Sequence, residues 1–387
     1  MTMRLSGLHI AHLIETNGPG GAERMLVHMV QELEAAGCYN VVVLPAGGEE
    51  WLQAELAGTH AAIEPYQLDR PVSRRLAGWL GDVLARHQIA IAHSHEFSMA
   101  VYAAWAAWRT GIPHVTTMHG SRYYIEHMRR RLALRAAFAV TGRVVAVSET
   151  LAAQLRRDLW LPKSRVTTIR NGVRAAPATR NTSLRRALGL APHERLVLAV
   201  GNLYPVKGHR FAVDALPHLP GVHLAIAGRG DLAEALTTRA TQLGVGGRLH
   251  LLGLRSDIAT LLASADAFIL PSLSEGVPMA LLEAMFAGCA IVASDVGDVR
   301  AALDDGGAGM LVAPGDTAAL AAALAQLLAS PARARELGAQ AARRASAEYD
   351  VRRMVARYVA IYRELLGDEP TTLIPEPLVS ASYGTLT

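Results

Sequence analysis

Short apolar strands alternate with amphipathic helical segments along this chain, and the alternation occurs twice. Strands separated by helices of about 10–15 residues are typical of parallel sheets, because a crossover helix must return the chain to the start of the next strand. The first set of predicted strands is Leu8–Ile14, Asn40–Leu44, Ile89–His93, His114–Met118, Val144–Ser148 and Val166–Arg170. The second set is Leu196–Val200, His223–Ala227, Leu249–Leu252, Ala267–Leu270, Ala290–Ala293 and Met310–Val312. We therefore expect an α/β protein with two Rossmann-like, doubly wound parallel-sheet domains that face each other across a cleft.

The place where the second set of strands begins predicts the domain boundaries. Residues Val173–Glu194 contain prolines and small polar residues and are interpreted as a linker. We expect one domain over residues 1–180 and a second over residues 195–348. Apolar residues at helical spacing over residues 349–367 predict a C-terminal helix that crosses back to the first domain, followed by a loose tail over residues 368–387.

Cysteine content and the lengths of the apolar runs exclude several classes of protein. The two cysteines, Cys38 and Cys289, exclude a disulfide-stabilised scaffold and a four-cysteine zinc site, and they suit a reducing cytoplasm. The apolar runs fall well short of the roughly 20 residues that cross a bilayer. The stretch Leu8–Ile14 is interpreted as a strand and not as a signal peptide, because polar residues follow it without a cleavage site. We therefore expect a cytoplasmic protein.

Positive charge is concentrated in the first half of the chain. The net formal charge is +4, but residues 1–185 carry 21 Arg or Lys against 14 Asp or Glu, whereas the remainder carries 17 against 20. The segment Arg122–Arg143 interleaves arginines with aromatic and aliphatic residues, a pattern typical of contact with an anionic membrane surface. We therefore predict a peripheral position at the inner face of the cytoplasmic membrane, with an ordinary solvated arginine face as the alternative. Nucleic acid is not an expected partner, because no recognised binding module accompanies the charge.

The segment Pro271–Glu283, PSLSEGVPMALLE, carries the clearest chemical signal. A strand ends before it, a turn follows, and Pro278 suits the first position of a helix that stops at Gly288. Glu275 then lies in the loop and Glu283 lies just over one turn into the helix. The free N–H groups of the first turn form a site for an anion such as a diphosphate, and the two carboxylates can accept hydrogen bonds from sugar hydroxyls.

Two further segments fit phosphate chemistry. Lys207 is one of two lysines in the chain, and it lies between a strand end and a helix. Three glycines occur in the loop Asn17–Gly21, which lets backbone N–H groups approach a phosphate closely. This loop is not a dinucleotide fingerprint, because Glu23 stands where the third glycine or alanine belongs, and an NAD-dependent oxidoreductase is therefore not expected.

Histidines at two strand ends are further candidates. His119 follows the strand His114–Met118. His93 and His95, followed by Glu96, have a spacing found in some metal sites, but we interpret them as part of a loop of the first domain beside the cleft. We expect no metal.

Together these motifs resemble family 4 of the retaining, nucleotide-sugar-dependent glycosyltransferases, which have the GT-B fold. The resemblance covers nearly the whole chain. Its motifs are GPGGAER (Gly18–Arg24), TMHG (Thr117–Gly120), VAVSE (Val145–Glu149), RNGV (Arg170–Val173), VGNLYPVKGH (Val200–His209), AGRGD (Ala227–Asp231), GLRSDI (Gly253–Ile258) and PSLSEGVPMALLEAMFAGCAIVASDVG (Pro271–Gly297).

The resemblance implies roles for four side chains. Glu283 would hold the ribose hydroxyls of the nucleotide, and Glu275 would hold a hydroxyl of the donor sugar. Lys207 would neutralise the diphosphate leaving group, where charge develops in the transition state. His119 would reach the donor sugar. We expect Glu275, Lys207 and His119 to be the catalytic residues.

The resemblance also implies a wider donor-binding surface. Its remaining residues are Gly20, Gly21, Asn202, Gly228, Leu254, Arg255, Gly276, Val277, Pro278 and Met279. Asn202 departs from the family pattern, because many relatives have an arginine there as a second cation on the diphosphate. Arg210 and Arg229 are the candidates for replacing that charge, and otherwise stabilisation of the leaving group is weaker.

The resemblance predicts transfer of a sugar, with retention, to a glycan or lipid-linked acceptor in bacterial cell-surface polysaccharide or glycolipid synthesis. A UDP-sugar is favoured over GDP-mannose as the donor. The helix N-terminus and Lys207 would carry the phosphate charge, so neither cofactor nor metal is expected. The alternative is a GT-B protein that binds nucleotide sugar without transferring it and supports a partner enzyme, for which Asn202 is the motive.

Overall fold

The computed structural model describes residues 6–47, 50–67, 73–120, 127–174 and 181–367. These residues form two parallel sheets with helices on their faces. The predicted α/β class with two doubly wound parallel sheets is confirmed. Among the described residues, no helix combines the length and apolar character needed to cross a membrane.

The first sheet has seven strands in the order β3-β2-β1-β4-β5-β6-β7. Its strands are β1 His9–Leu13, β2 Tyr39–Pro45, β3 Ala62–Tyr66, β4 Ile91–His95, β5 His114–Met118, β6 Arg143–Ala146 and β7 Val166–Thr168. Its helices are α1 Gly21–Ala35, α2 Trp51–Leu56, α3 Arg74–Arg86, α4 Phe97–Thr110, α5 Met128–Val140 and α6 Glu149–Asp158. The order reverses between β1 and β4, so the loops after these two strands diverge and leave a crevice at their carboxyl ends.

Two features of the first sheet differ from the sequence prediction. Strand β3 was not predicted, because Pro65 and Glu64 interrupt its apolar pattern. It lies at the sheet edge, where proline is tolerated because no further strand needs its N–H group. Strand β4 begins and ends two residues later than predicted, which places His95 inside the strand.

The second sheet has six strands in the order β10-β9-β8-β11-β12-β13. Its strands are β8 Arg195–Val200, β9 Val222–Ala227, β10 Leu249–Gly253, β11 Ala267–Leu270, β12 Ile291–Ser294 and β13 Met310–Val312. The helices after the first sheet are α7 Ser183–Ala187, α8 His209–Ala215, α9 Ala233–Gln242, α10 Ile258–Ser264, α11 Met279–Phe286, α12 Val299–Ala302, α13 Thr317–Ala329 and α14 Pro331–Glu348. The order reverses between β8 and β11, which places a second crevice opposite the first.

The last described helix, α15 Val351–Leu366, packs against the first sheet. Asp350 caps its N-terminus and Gly367, with φ of 84°, ends it in the left-handed conformation that favours glycine. Its buried face, which includes Tyr358 and Tyr362, joins the core beneath β1 and β4. The first core is therefore completed by the final helix of the described chain. Residues 368–387, predicted to be a loose tail, lie outside the described residues.

Candidate active site

A cavity of about 1060 Å³ lies between the two sheets at the carboxyl ends of their strands. All the catalytic and donor-binding candidates from the sequence line it. They are Gly20, Gly21, His119, Asn202, Lys207, Gly228, Leu254, Arg255, Glu275, Gly276, Val277, Pro278, Met279 and Glu283. The structure thus brings together residues that are up to 263 positions apart in the chain, from Gly20 to Glu283.

Helix α11 presents its N-terminus to the cavity. Pro278 is the capping residue, with φ of −72° and ψ of 138°, and not the first helical residue as predicted. No side chain caps the helix, so the first-turn amides remain available to an anion. The helix ends at Phe286, before Gly288 as predicted.

Glu275 is held by a lysine and a serine. Lys207 Nζ donates to Glu275 Oε1 over 2.7 Å, and Ser272 Oγ donates to the same oxygen over 2.8 Å. Lys207 is placed by the following Gly208, where a Cβ atom would lie 2.0 Å from the carbonyl oxygen of Pro271. This approach requires glycine, and it fixes the lysine turn against the end of β11.

Glu283 lies in the second turn of α11 and faces the opposite sheet. Arg24 Nη1, from the first turns of α1, donates to Glu283 Oε1 over 3.4 Å. Burial raises the pKa of Glu283 above its usual value, and the Arg24 charge partly offsets that effect. A buried carboxylate with one long hydrogen bond has free acceptor capacity for ligand hydroxyl groups.

His119 is a neutral ring at the cavity wall. Burial lowers its pKa to about 4. Its Nε2 atom lies 3.4 Å from His95 Nδ1, whereas its Nδ1 atom has no hydrogen-bond partner within the described part of the chain. His119 therefore offers a neutral donor or acceptor, and not a cation.

The interpretation of His93 and His95 as loop residues is wrong, because both lie in β4 and are fully buried. One ring nitrogen from each of His12, His93 and His95 lies within 4.8 Å of the other two. The hydroxyl of Tyr362 lies 2.6 Å from His93 Nδ1, and Thr117 Oγ1 lies 2.8 Å from His93 Nε2. Both nitrogens of His93 are therefore used, and a metal at His93 would have to displace one of these partners. His12 Nδ1 and His95 Nε2 are buried without a hydrogen-bond partner among the described residues.

Carboxylates crowd the first-sheet side of the cavity. Glu15, Glu23 and Glu96 all line it, and Glu15 accepts a hydrogen bond of 2.7 Å from the amide of Ser98. Burial, followed by the charges of Glu15 and Glu23, raises the pKa of Glu96 to about 8. No catalytic or binding role was predicted for these residues, although Glu15 and Glu96 each follow the end of a strand and that position could have marked them.

The surroundings of Asn202 contain little free positive charge. Arg210 pairs with Asp214 over 3.5 Å and its side chain is 70% exposed, and neither Arg210 nor Arg229 lines the cavity. Arg255 lines it but forms two hydrogen bonds with Asp257, of 2.7 and 2.6 Å. The arginines suggested by the sequence therefore do not replace the missing charge in this arrangement.

Family models match both halves of the chain. The model described as Glycosyltransferase Family 4 matches residues 19–176, and that described as Glycosyl transferases group 1 matches residues 194–330. The two ranges contain the residues that line the cavity except Glu15 and Thr16, which lie just before the first range.

Curated relatives have several activities. The chain is 29% identical over 232 residues to the UDP-Gal:alpha-D-GlcNAc-diphosphoundecaprenol alpha-1,3-galactosyltransferase of Escherichia coli, covering 55% of this chain and 60% of that enzyme. It is 34% identical over 192 residues to the D-inositol 3-phosphate glycosyltransferase of Mycobacterium ulcerans, covering 48% of this chain but only 42% of that enzyme. Alpha-maltose-1-phosphate synthase of Mycolicibacterium smegmatis is 30% identical over 317 residues, covering 71% of this chain and 79% of that enzyme.

Solved structures show the same fold. The glycosyltransferase from Rickettsia africae superposes with a TM-score of 0.81 at 19% identity, covering 93% of this chain and 99% of that chain. HepE of Anabaena in complex with UDP gives 0.80 at 23% identity, covering 91% and 98%. From both family models and the shared two-sheet fold, the chain belongs to the group 1 glycosyltransferases of family 4.

Proposed function

We propose that this chain transfers a sugar from a UDP-sugar, with retention, to a hydroxyl group of a glycan or lipid-linked acceptor. The observation that carries the proposal is the arrangement around α11. Its uncapped N-terminus lies between two carboxylates, Glu275 and Glu283, and Lys207 reaches the first of them. This arrangement offers one site each for a sugar, a diphosphate and a ribose.

UDP is the favoured nucleotide because a protein of the same fold, HepE, has been solved with UDP and with UDP-glucose. When the donor binds, a sugar hydroxyl replaces Lys207 as the hydrogen-bond partner of Glu275, and the Lys207 ammonium turns to the phosphate. The bond between the anomeric carbon and the phosphate oxygen then breaks, and the acceptor oxygen bonds to the same face. The acceptor proton passes to the departing phosphate, which Lys207 and the amides of α11 stabilise.

These groups would neutralise the leaving phosphate without a metal ion. We therefore expect transfer to continue at an unchanged rate after dialysis against a chelator. An activity lost on chelation and restored by Mg²⁺ or Mn²⁺ would contradict that part of the proposal.

The outer surfaces of α4 and α5 support an acceptor at a membrane. The two helices pack side by side, and Trp108 and Leu132 on them are 66% and 55% exposed. Trp160 is 63% exposed, with the Arg135 guanidinium 5.2 Å from its ring centre. Exposed tryptophans among arginines suit the interface of an anionic bilayer. Part of the basic segment predicted for this contact, residues 121–126, lies outside the described residues.

Cosedimentation with vesicles tests the membrane contact. We expect binding to vesicles containing anionic lipid, weaker binding to zwitterionic vesicles, and a loss in Trp108→Ala. Trp51→Ala, a partly buried tryptophan at the start of α2, is the control. Equal binding of wild type and Trp108→Ala would contradict the contact.

Calorimetric titration with UDP and with GDP tests the donor site. We expect UDP to bind and Glu283→Ala to weaken it at least tenfold, because two ribose hydrogen bonds to a charged group are lost. Glu336→Ala, on the exposed face of α14, is the control. Binding of GDP instead would change the donor, and binding of neither would overturn the proposed site.

Turnover separates an enzyme from a protein that only holds its donor. Asn202 is neutral where many relatives have an arginine, which favours a protein that binds its donor without transferring the sugar. Release of UDP from UDP-sugar in the presence of acceptor glycans, followed by nuclear magnetic resonance, gives the rate and the anomeric configuration. Donor binding without turnover across many acceptors would favour the non-transferring alternative.

A further inference from the structure

The cavity is short of positive charge for a nucleoside diphosphate. Among the described residues, six carboxylate side chains line it, against three side chains of lysine or arginine. The carboxylates are Glu15, Glu23, Glu96, Glu275, Glu283 and Asp298, and the cations are Arg24, Lys207 and Arg255. Since the fork of Arg255 is occupied by Asp257 and Asn202 is neutral, Lys207 is the only cation that the second-sheet side of the described cavity can direct at phosphate.

Arg24 comes from the other side of the cavity. It is the fourth residue of α1, whose N-terminus directly faces that of α11, since a Cβ atom on Gly21 would lie 3.6 Å from Met279 Cγ. The first turns of the two helices therefore meet across the cavity. A phosphate bound at the N-terminus of α11 would then lie within reach of the Arg24 side chain.

The contacts of Arg24 are weak enough to be exchanged. Its Nη1 atom donates over 3.4 Å to Glu283, and its guanidinium carbon lies 5.6 Å from the ring centre of Trp51. The side chain keeps 26% exposure, so it can move toward the cavity. A guanidinium has five N–H groups, and the fork geometry suits two phosphate oxygens better than a single carboxylate oxygen at this distance.

We propose that Arg24 is the second cation for the donor diphosphate, supplied from the first domain in place of the arginine that Asn202 replaces. The inference rests on the proposed function. When the ribose hydroxyls donate hydrogen bonds to Glu283, Arg24 leaves that carboxylate and binds the phosphate nearest the ribose. The donor thereby contacts the second domain through α11 and Lys207, and the first domain through Arg24.

A binding series with uridine, UMP and UDP isolates the phosphate contact. In Arg24→Gln we expect uridine affinity to change by less than about twofold, and UMP and UDP affinity to fall about tenfold to a hundredfold, the range for a charged hydrogen bond. If Arg24 only orients Glu283, uridine weakens as much as UDP, and that result would overturn the inference. Unchanged UDP affinity in Arg24→Gln would also overturn it.

Two further variants sharpen the series. Arg174 pairs with Glu32, which lies on α1 as Arg24 does, but Arg174 does not line the cavity. Arg174→Gln therefore removes an equal charge and should leave all three affinities unchanged. Asn202→Arg should improve UDP affinity more in the Arg24→Gln background than in wild type, because the two positions serve the same diphosphate. An equal gain in both backgrounds would contradict that shared role.

The proposed function can fail independently of this inference. If wild-type protein binds neither UDP nor GDP, the donor site itself is wrong. If GDP binds, the series is repeated with guanosine, GMP and GDP, and the same comparison applies. A nucleotide that binds wild type and Arg24→Gln equally overturns only the role of Arg24.

Discussion

The two walls of the cavity hold their carboxylates in opposite ways. On the second-sheet wall, Glu275 is paired with Lys207, and Glu283 is paired with Arg24 reaching across. On the first-sheet wall, Glu15, Glu23 and Glu96 lie near one another, and the histidine beside them is neutral. On the second-sheet wall the two cations can turn from the carboxylates to an anionic donor. On the first-sheet wall the crowded carboxylates raise the free-energy cost of any further negative charge.

This difference indicates what each wall accepts. A diphosphate gains charge compensation toward α11, from Lys207 and from Arg24 reaching across the cavity. The first-sheet wall suits uncharged hydroxyl groups, whose O–H can donate a hydrogen bond to a carboxylate or to a neutral histidine nitrogen. We infer that the acceptor presents a neutral sugar or alcohol to this wall, with any phosphate of a lipid carrier held farther away.

The largest expected effect comes from removing the lysine of the second-sheet wall. Lys207→Ala should lower kcat by about a hundredfold to a thousandfold, because a charged donor to the leaving group is lost. Lys163→Ala, the other lysine of the chain, is the control, since it lies on an exposed turn. Steady-state transfer assays with circular dichroism check activity and folding. A kcat within about threefold of wild type would contradict the leaving-group role.

An intermediate effect is expected when the hydrogen bond between α15 and strand β4 is removed. Tyr362→Phe removes the hydroxyl group 2.6 Å from His93 Nδ1 and leaves a buried nitrogen unpaired, so we expect the free energy of unfolding to fall by about 1–3 kcal/mol. Denaturant unfolding measures this. Tyr349→Phe is the matched control, a buried tyrosine whose hydroxyl has no such partner among the described residues. Equal losses in both variants would show that the His93 contact contributes nothing specific.

The smallest expected effect concerns the crowded carboxylates. Because the pKa of Glu96 is raised from its usual 4.5 to about 8, the folded chain binds this proton more tightly than the unfolded chain does. Stability should therefore fall as pH rises between these two values. Glu96→Gln removes that cost, so we expect a melting temperature several degrees above wild type near pH 8, and a smaller difference near pH 5.

Thermal unfolding of Glu96→Gln and wild type at both pH values measures this effect. Glu55→Gln, exposed on α2, is the control. A gain that is the same at both pH values would show that the substitution acts through packing and not through the buried charge.

The paired wall could be predicted from the sequence because one continuous segment builds most of it. The strand end, the turn, the helix start and both glutamates all lie within Leu270–Glu283, so local spacing determines their arrangement. The two-sheet fold was predictable for a similar reason, since every strand except β3 carries its own apolar run. The family resemblance then assigned roles that spacing alone does not.

The crowded wall was not predictable in the same way. Glu15, Glu96 and His119 come from three different loops, and their properties depend on shared burial, which no local pattern records. The position of His95 was missed because β4 is shifted by two residues from its apolar run. The contact of Arg24 with Glu283 joins residues 259 positions apart and depends on how the two domains face each other.

Helix α15 has a consequence for the synthesis of this protein. The first sheet is made early on the ribosome, but part of its core, including Tyr358 and Tyr362, is contributed by the last helix described. Domains generally fold in the order in which they are synthesised. Here the first domain must wait with an apolar face uncovered until residues beyond 350 emerge, while the second sheet can form completely before them. A nascent chain stalled before Val351 should therefore bind chaperones through its first half.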